Sequence, residues 1–228
     1  MEEGDRMTEA EIRKHACALG AEVCGIAGTN SFDRAPRGFH PADILPGAKS
    51  VVVYGRQFAK SLFSATTNAP YTLFRNKLID LVDNISVQLA LELEKEGFAA
   101  LPVPSSEPYE YWDPERRHGR GILSLKHAAQ LAGLGFIGKN TLLINRTYGN
   151  RLWLGGVITN APLEPDACSW GCCPENCKLC LDSCPQSALN GITIEQARCR
   201  EIMATCSDGG GFLLSCNTCR KVCPFSRT

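Results

Sequence analysis

An excess of charge of either sign is missing from this chain: 24 lysines and arginines meet 24 aspartates and glutamates over 228 residues. That zero balance argues against a strongly basic nucleic-acid surface and against a polybasic membrane patch. No apolar run approaches the roughly 18 residues that a membrane span requires. The opening MEEGDRMTEAEIRK is charged throughout, so no secretory signal is expected and the cytoplasm is the expected compartment. Solenoid-length repeats and low-complexity tracts are also absent, which excludes repeat and fibrous architectures. Hydrophobic residues make up 44% and charged residues 21%. Those are ordinary globular values, in a chain long enough to bury a core. Cysteine is nearly missing from the first 167 residues, where only Cys17 and Cys24 occur.

What is there begins with cysteine. Of 13 in all, 11 fall in residues 168–228. Without an export signal, a cluster of this kind reads as thiolates held for metal in a reducing compartment rather than as a disulfide scaffold.

Residues 1–166 read as a mixed α/β domain. Thr8 and Glu11 form a capping box for a helix that Gly20 stops. Residues 22–27 are a short strand candidate, and residues 50–54, Ser-Val-Val-Val-Tyr, suit a buried strand. Between 71 and 97, Phe74, Leu78, Leu81, Val82, Ile85, Leu89 and Leu93 recur at helical spacing, so a long helix with an apolar stripe turned to the core is expected there. A strand over 98–103 follows, then a loop over 104–121 that carries three prolines, Tyr109, Tyr111 and Trp112. A helix over 123–132 ends at Gly133. Residues 140–145 and 152–159 are expected to pair as a hairpin through Tyr148, Gly149 and Asn150. The boundary to a second domain, 167–228, is expected near 162–166.

In that second part, Cys173, Cys177, Cys180 and Cys184-Pro185 form C-x3-C-x2-C-x3-C-P. Cys199 stands alone, and Cys216, Cys219 and Cys223-Pro224 form C-x2-C-x3-C-P. Two-cluster ferredoxins use the related C-x2-C-x2-C-x3-C-P run, whose fourth cysteine ligates the other cluster. Three closely spaced thiolates grip three corners of a cubane, and a distant segment must supply the fourth. One [4Fe–4S] cluster is therefore expected on Cys173, Cys177 and Cys180, closed by Cys223. A second is expected on Cys199, Cys216 and Cys219, closed by Cys184. Zinc also accepts four thiolates, but two third-spaced cysteines followed by proline are not what zinc ribbons need. The first triplet also has the spacing of radical enzymes that leave one iron open, which Cys223 would close here. Cys172 competes with Cys173, whose shorter C-x3-C gap needs less extra loop. Cys168 and Cys206 carry no cluster role, and Cys17 and Cys24 are expected to be small buried hydrophobes.

Cys184-Pro185, Arg198-Cys199, Cys216-Asn-Thr-Cys219 and Val222-Cys223-Pro224-Phe225 resemble the tail of the epoxyqueuosine reductase family. So do residues 131–144, Leu-Ala-Gly-Leu-Gly-Phe-Ile-Gly-Lys-Asn-Thr-Leu-Leu-Ile, and residues 40–53 look like the family's first strand and its approach. The resemblance implies an α+β protein, with a cobalamin-binding domain of nitroreductase type followed by a small ferredoxin-like domain holding two [4Fe–4S] clusters. It implies electrons arriving from a reductase, ferredoxin or flavodoxin and reaching a corrinoid, with a small molecule or a modified nucleoside as substrate. Gly133, Gly135, Gly138, Lys139 and Asn140 would then contact the cofactor; read from the residues alone, they are a helix cap and a tight turn into a strand.

The family's general acid, an aspartate, would fall near Gly119, where Arg117-His118-Gly119-Arg120 holds none. His118 is the remaining proton donor there, since histidine exchanges a proton near neutral pH. The sequence ends five residues after Cys223, without the helical-repeat extension of larger members. A non-catalytic two-cluster electron-transfer protein serving a partner enzyme is the alternative reading.

Overall fold

The computed structural model describes residues 7–169, 171–206 and 210–226. The elements in chain order are α1 (Glu9–Ala18), β1 (Val23–Gly28), α2 (Pro41–Ile44), β2 (Ser50–Gln57), α3 (Ala69–Lys95) and β3 (Ala100–Val103). Next come β4 (Tyr111–Asp113), β5 (His118–Arg120), α4 (Leu125–Leu131), β6 (Phe136–Ile137), β7 (Leu143–Ile144) and β8 (Leu152–Thr159). The cysteine-rich part adds α5 (Leu179–Asp182), α6 (Gln196–Met203), β9 (Ala204–Cys206), β10 (Phe212–Leu214) and α7 (Thr218–Lys221).

Four strands form one antiparallel sheet in the order β1-β2-β8-β3. Successive side chains of a strand point to opposite faces, and β2 obeys this strictly. Val52 and Tyr54 pack with Ile12 and Ala16 of α1 and with Val82, Ile85, Leu89 and Leu93 of α3. Val51 and Val53 pack on the other face with Ala128 and Ala129 of α4. The sheet is thus sandwiched between helices, and both faces are dry.

The Thr8–Glu11 capping box forms as expected, with the two residues exchanging hydrogen bonds. Gly20 and Gly97 stop their helices in left-handed backbone. Among the apolar residues expected to face the core along α3, Leu81 is instead 42% exposed. It sits one residue ahead of Val82, about 100° away around the helix axis, and only one of the two can face the sheet.

Strand β7 pairs with β6, and β8 pairs with β2 and β3, so 140–145 and 152–159 do not form the expected hairpin. The eight-residue β8 is buried along the sheet, and only the central position between β2 and β3 satisfies its backbone on both edges. The expected loop over 104–121 contains the hairpin β4–β5, with Trp112 opposite Gly119. Cys17 is exposed rather than buried, whereas Cys24 packs against the core. No described helix is long and apolar enough to cross a membrane.

Asp166 fixes the exit from the sheet. Its carboxylate accepts two hydrogen bonds from Arg13 at 2.9 Å and one from the Ile26 amide at 2.7 Å, and its own amide donates to the Ile26 carbonyl.

Candidate functional site

The cysteines converge through three short segments. Cys180 lies on α5, Cys219 on α7 and Cys199 on α6. Cys173, Cys177, Cys180 and Cys223 line one small pocket, together with Lys139, Asn140, Leu179, Pro224 and Phe225. Cys173 is in that pocket, while its neighbour Cys172 is exposed. Cys184, Cys199, Cys216 and Cys219 form a second group, near enough that the charges of Cys184, Cys199 and Cys216 act on Cys219. The chain crossing is reciprocal. Cys223 reaches back to the first triplet, and Cys184 reaches forward to Cys199, Cys216 and Cys219.

Burial pushes the Cys180, Cys199 and Cys223 thiols up, and neighbouring sulfurs push the same way. It pushes Cys219 up to about 11, against the opposing pull of Arg220. Several thiolates crowded in a buried space repel one another, so this set ionises readily only when a cation takes up the charge. All 13 cysteines are free. Four thiols with no carboxylate or imidazole in the first pocket make a soft donor set, suited to zinc, copper(I) or iron–sulfur clusters. Among the described residues, no three metal-ligating groups converge on a single-ion position.

Residues 133–140 meet the two cysteine sets at their end, through Lys139 and Asn140. A side chain at Gly133, whose φ is +74°, would come within 2.7 Å of the Ala167 carbonyl. One at Gly135 would come within 2.2 Å of the Ile144 carbonyl. The protein's own backbone therefore fills the room these glycines leave. Gly138 is buried, and its carbonyl accepts from the Thr141 amide. Lys139 donates its backbone N–H to Cys173 Sγ at 3.4 Å. Its ammonium donates to the carbonyls of Pro174, Glu175 and Cys177 at 3.2, 2.7 and 3.0 Å. Asn140, 3% exposed, donates to the Cys219 carbonyl at 3.3 Å. These two side chains thus tie the glycine-rich segment to both cysteine sets.

No protein-family profile matches the chain. The epoxyqueuosine reductase of Staphylococcus aureus is 36% identical over 118 residues, 47% of this chain and 30% of the relative. That of Bacillus cereus is 29% identical over 205 residues, 81% of this chain and 50% of the relative. An epoxyqueuosine reductase solved with an epoxyqueuosine-modified tRNA stem loop superposes with a TM-score of 0.65 at 22% identity, over 96% of this chain and 65% of that one. The chain is thus similar in sequence to part of the epoxyqueuosine reductases and shares their fold. It spans half or less of the length of the two relatives named. A reductive dehalogenase, studied for B12-dependent dehalogenation, shares the fold with a TM-score of 0.66 at 17% identity, over 100% of this chain and 34% of that one.

His118 lies on the hairpin and borders a cavity of about 710 Å³, with Glu115 and Arg116 on one side and residues 187–190 and 193–197 on the other. That volume falls within the roughly 300–1,000 Å³ of small-molecule sites. Gly119, where the family resemblance implies an acid, has both backbone groups taken by the Gln196 side chain at 3.0 Å each. Arg200, one turn further along α6, donates to Gln196 and lies 5.0 Å from the Trp112 ring and 5.6 Å from that of Tyr109. The hairpin is thereby docked on the helix that carries Cys199. Sequence reasoning missed Gln196 and Arg200. Their only trace was the aromatic group Tyr109, Tyr111 and Trp112, too rich in rings for an idle loop, together with glutamine and arginine four residues apart on one helix face.

Proposed function

We propose that this chain is an iron–sulfur oxidoreductase that passes electrons through two [4Fe–4S] clusters to a corrinoid, for the reduction of a substrate held beside His118. Cys173, Cys177, Cys180 and Cys223 would hold one cluster, and Cys184, Cys199, Cys216 and Cys219 the other. The observation that carries the proposal is the reciprocal crossing of Cys223 and Cys184, which gives each set four thiols. Four thiols per set make a soft donor group, and the exchange of the fourth cysteine between the two motifs is the arrangement that two-cluster ferredoxins use.

The clusters relay single electrons and the corrinoid supplies the reducing metal. This chain's residues do the rest. The thiols ligate, and the 133–140 segment holds the two cysteine sets in fixed relation. The β4–β5 hairpin walls the cavity, and the His118 imidazole holds a proton at its edge for the reduced product. A reductase, ferredoxin or flavodoxin would supply the electrons. The substrate class is a modified nucleoside or a small molecule of similar size; the stem-loop RNA of the structural relative makes RNA the first to try. The protein would work in the cytoplasm, where thiols stay reduced.

A second reading is favoured by Gly119: no carboxylate stands in the hairpin where the resemblance implies one, and Gln196 locks its backbone. Under that reading the chain only carries electrons to a partner enzyme. Anaerobic reconstitution with iron and sulfide, followed by titration with hydroxocobalamin and assay on epoxyqueuosine-containing stem-loop RNA, separates the two. The first reading expects about eight irons for two [4Fe–4S] clusters and a saturable change in corrinoid absorbance. Full iron content with no corrinoid bound would leave only the electron carrier, and iron-free protein would sink both.

A further inference from the structure

We infer that Lys139 is a positioning residue for the cysteine set Cys173, Cys177, Cys180 and Cys223, fixing the 174–177 loop and raising the reduction potential of the cluster bound there. The inference rests on reading those cysteines as cluster ligands. An ammonium carries three donors, and here all three are used, on the carbonyls of Pro174, Glu175 and Cys177. Those carbonyls lie on the turn that leads from the first thiol of the set to the second, Cys177 included. Without a cation at their centre they would point together and repel.

The same residue's amide donates to Cys173 Sγ, so one residue holds the loop at its side-chain end and the first thiol at its backbone end. The anchor beneath it is rigid. Asn140 is buried, accepts from the Leu142 amide at 3.2 Å and donates to the Cys219 carbonyl of the other set. All three acceptors of the ammonium are neutral carbonyls, so no carboxylate cancels its charge within these hydrogen bonds. Reduction adds one negative charge to a cluster. A fixed positive charge and an N–H···S bond both favour the reduced form, so both raise the potential. The effect is strongest on one cluster, because every hydrogen bond of Lys139 ends on residues 173–177, while Cys184 of the second set takes its N–H···S bond from Ala188 at 3.3 Å.

The test uses the full chain in two states. In the reconstituted protein, a dithionite titration with redox mediators, followed by electron paramagnetic resonance, reads each cluster's midpoint potential. Lys139→Gln is expected to move one midpoint to a more negative value and the other by less, with Lys139→Arg restoring it. Equal midpoints in Lys139→Gln and the native chain, or an equal shift of both clusters, would overturn the electrostatic role.

In the metal-free protein, amide exchange at Cys177, whose N–H donates to the Pro174 carbonyl at 3.0 Å, reads the clamp without any cofactor. Several-fold faster exchange in Lys139→Gln is expected, and an unchanged rate overturns the clamp even where the variant assembles no cluster. Iron content of the native chain is measured first. Its absence would refute the ligand assignment itself, a result distinct from a fully loaded protein whose potentials ignore Lys139.

Discussion

The sheet and the tail that follows Asp166 are built around different interiors. On both faces of the sheet, aliphatic side chains such as Val51, Val52, Ile85, Leu89 and Ile158 are 0–2% exposed. In the tail, the buried residues among those described are Cys180, Ala188, Leu189, Leu214, Arg220, Cys223 and Ser226, and α6 has none. So few buried apolar side chains supply little of the hydrocarbon burial that drives folding. Under the proposed function, ligation by thiols would take the place of a core there, and docking on the sheet adds to it. Leu214 enters the aromatic group of Phe58, Phe63 and Tyr71, and its amide donates to Thr72 Oγ1. Arg220 stacks 4.9 Å from the Phe58 ring and donates to the Asn150 carbonyl. The comparison teaches that one region is held by water exclusion within itself, whereas the other has few buried apolar residues of its own and leans on the sheet, so that under the proposed function its stability would depend on metal supply.

The largest effect that would break this contrast comes from ligand removal. Cys180→Ser and Cys219→Ser should each remove about half of the iron, one of two clusters, and open the tail to protease while the sheet fragment survives. Cys17→Ser, at an exposed site, should leave iron unchanged. Loss of sheet structure in the ligand variants would mean that the two regions melt as one.

Next in size, Leu89→Ala in the sheet core should cost about 2–5 kcal/mol by cavity formation. Thermal unfolding of the metal-free protein measures this cost. Iron uptake at low temperature should be unaffected.

Arg200→Ala tests the junction. It removes two ring contacts worth about 0.5–1 kcal/mol each and a hydrogen bond to Gln196. Exchange of the Gly119 amide should accelerate while the iron content holds.

The smallest effect concerns Cys24, whose thiol burial pushes up to about 12. A pKa raised in the folded state means that stability is full below the unfolded value of about 8.5 and falls as pH rises above it. Metal-free protein should lose about 1 kcal/mol between pH 8 and 9.5 from this group, and Cys24→Ala should lose less in denaturant titrations at those two pH values.

Local features were legible because neighbours in sequence create them. The capping box of Thr8 and Glu11, the glycine stops at Gly20 and Gly97 and the apolar run of β2 need only the residues beside them. Leu81 misled because helical spacing alone does not say which edge of a wide apolar stripe meets the sheet. The partners of β8 were illegible because pairing is decided by which sheet edge remains open, a property of the assembled layer. For the same reason the docking of the 111–120 hairpin on α6 could not be read: its partners lie about 80 residues downstream.

The cysteine spacing, read against the two-cluster ferredoxin pattern whose fourth cysteine crosses to the other cluster, set out the two candidate four-thiol sets, with Cys172 still competing with Cys173. It also carried the family resemblance. Only the folded chain decided that Lys139 spends its charge on three carbonyls of the cysteine loop, and that Asn140 joins that loop to the other set. A side chain's partner across 34–79 residues of sequence depends on how helices and strands pack, and no periodicity or spacing records that.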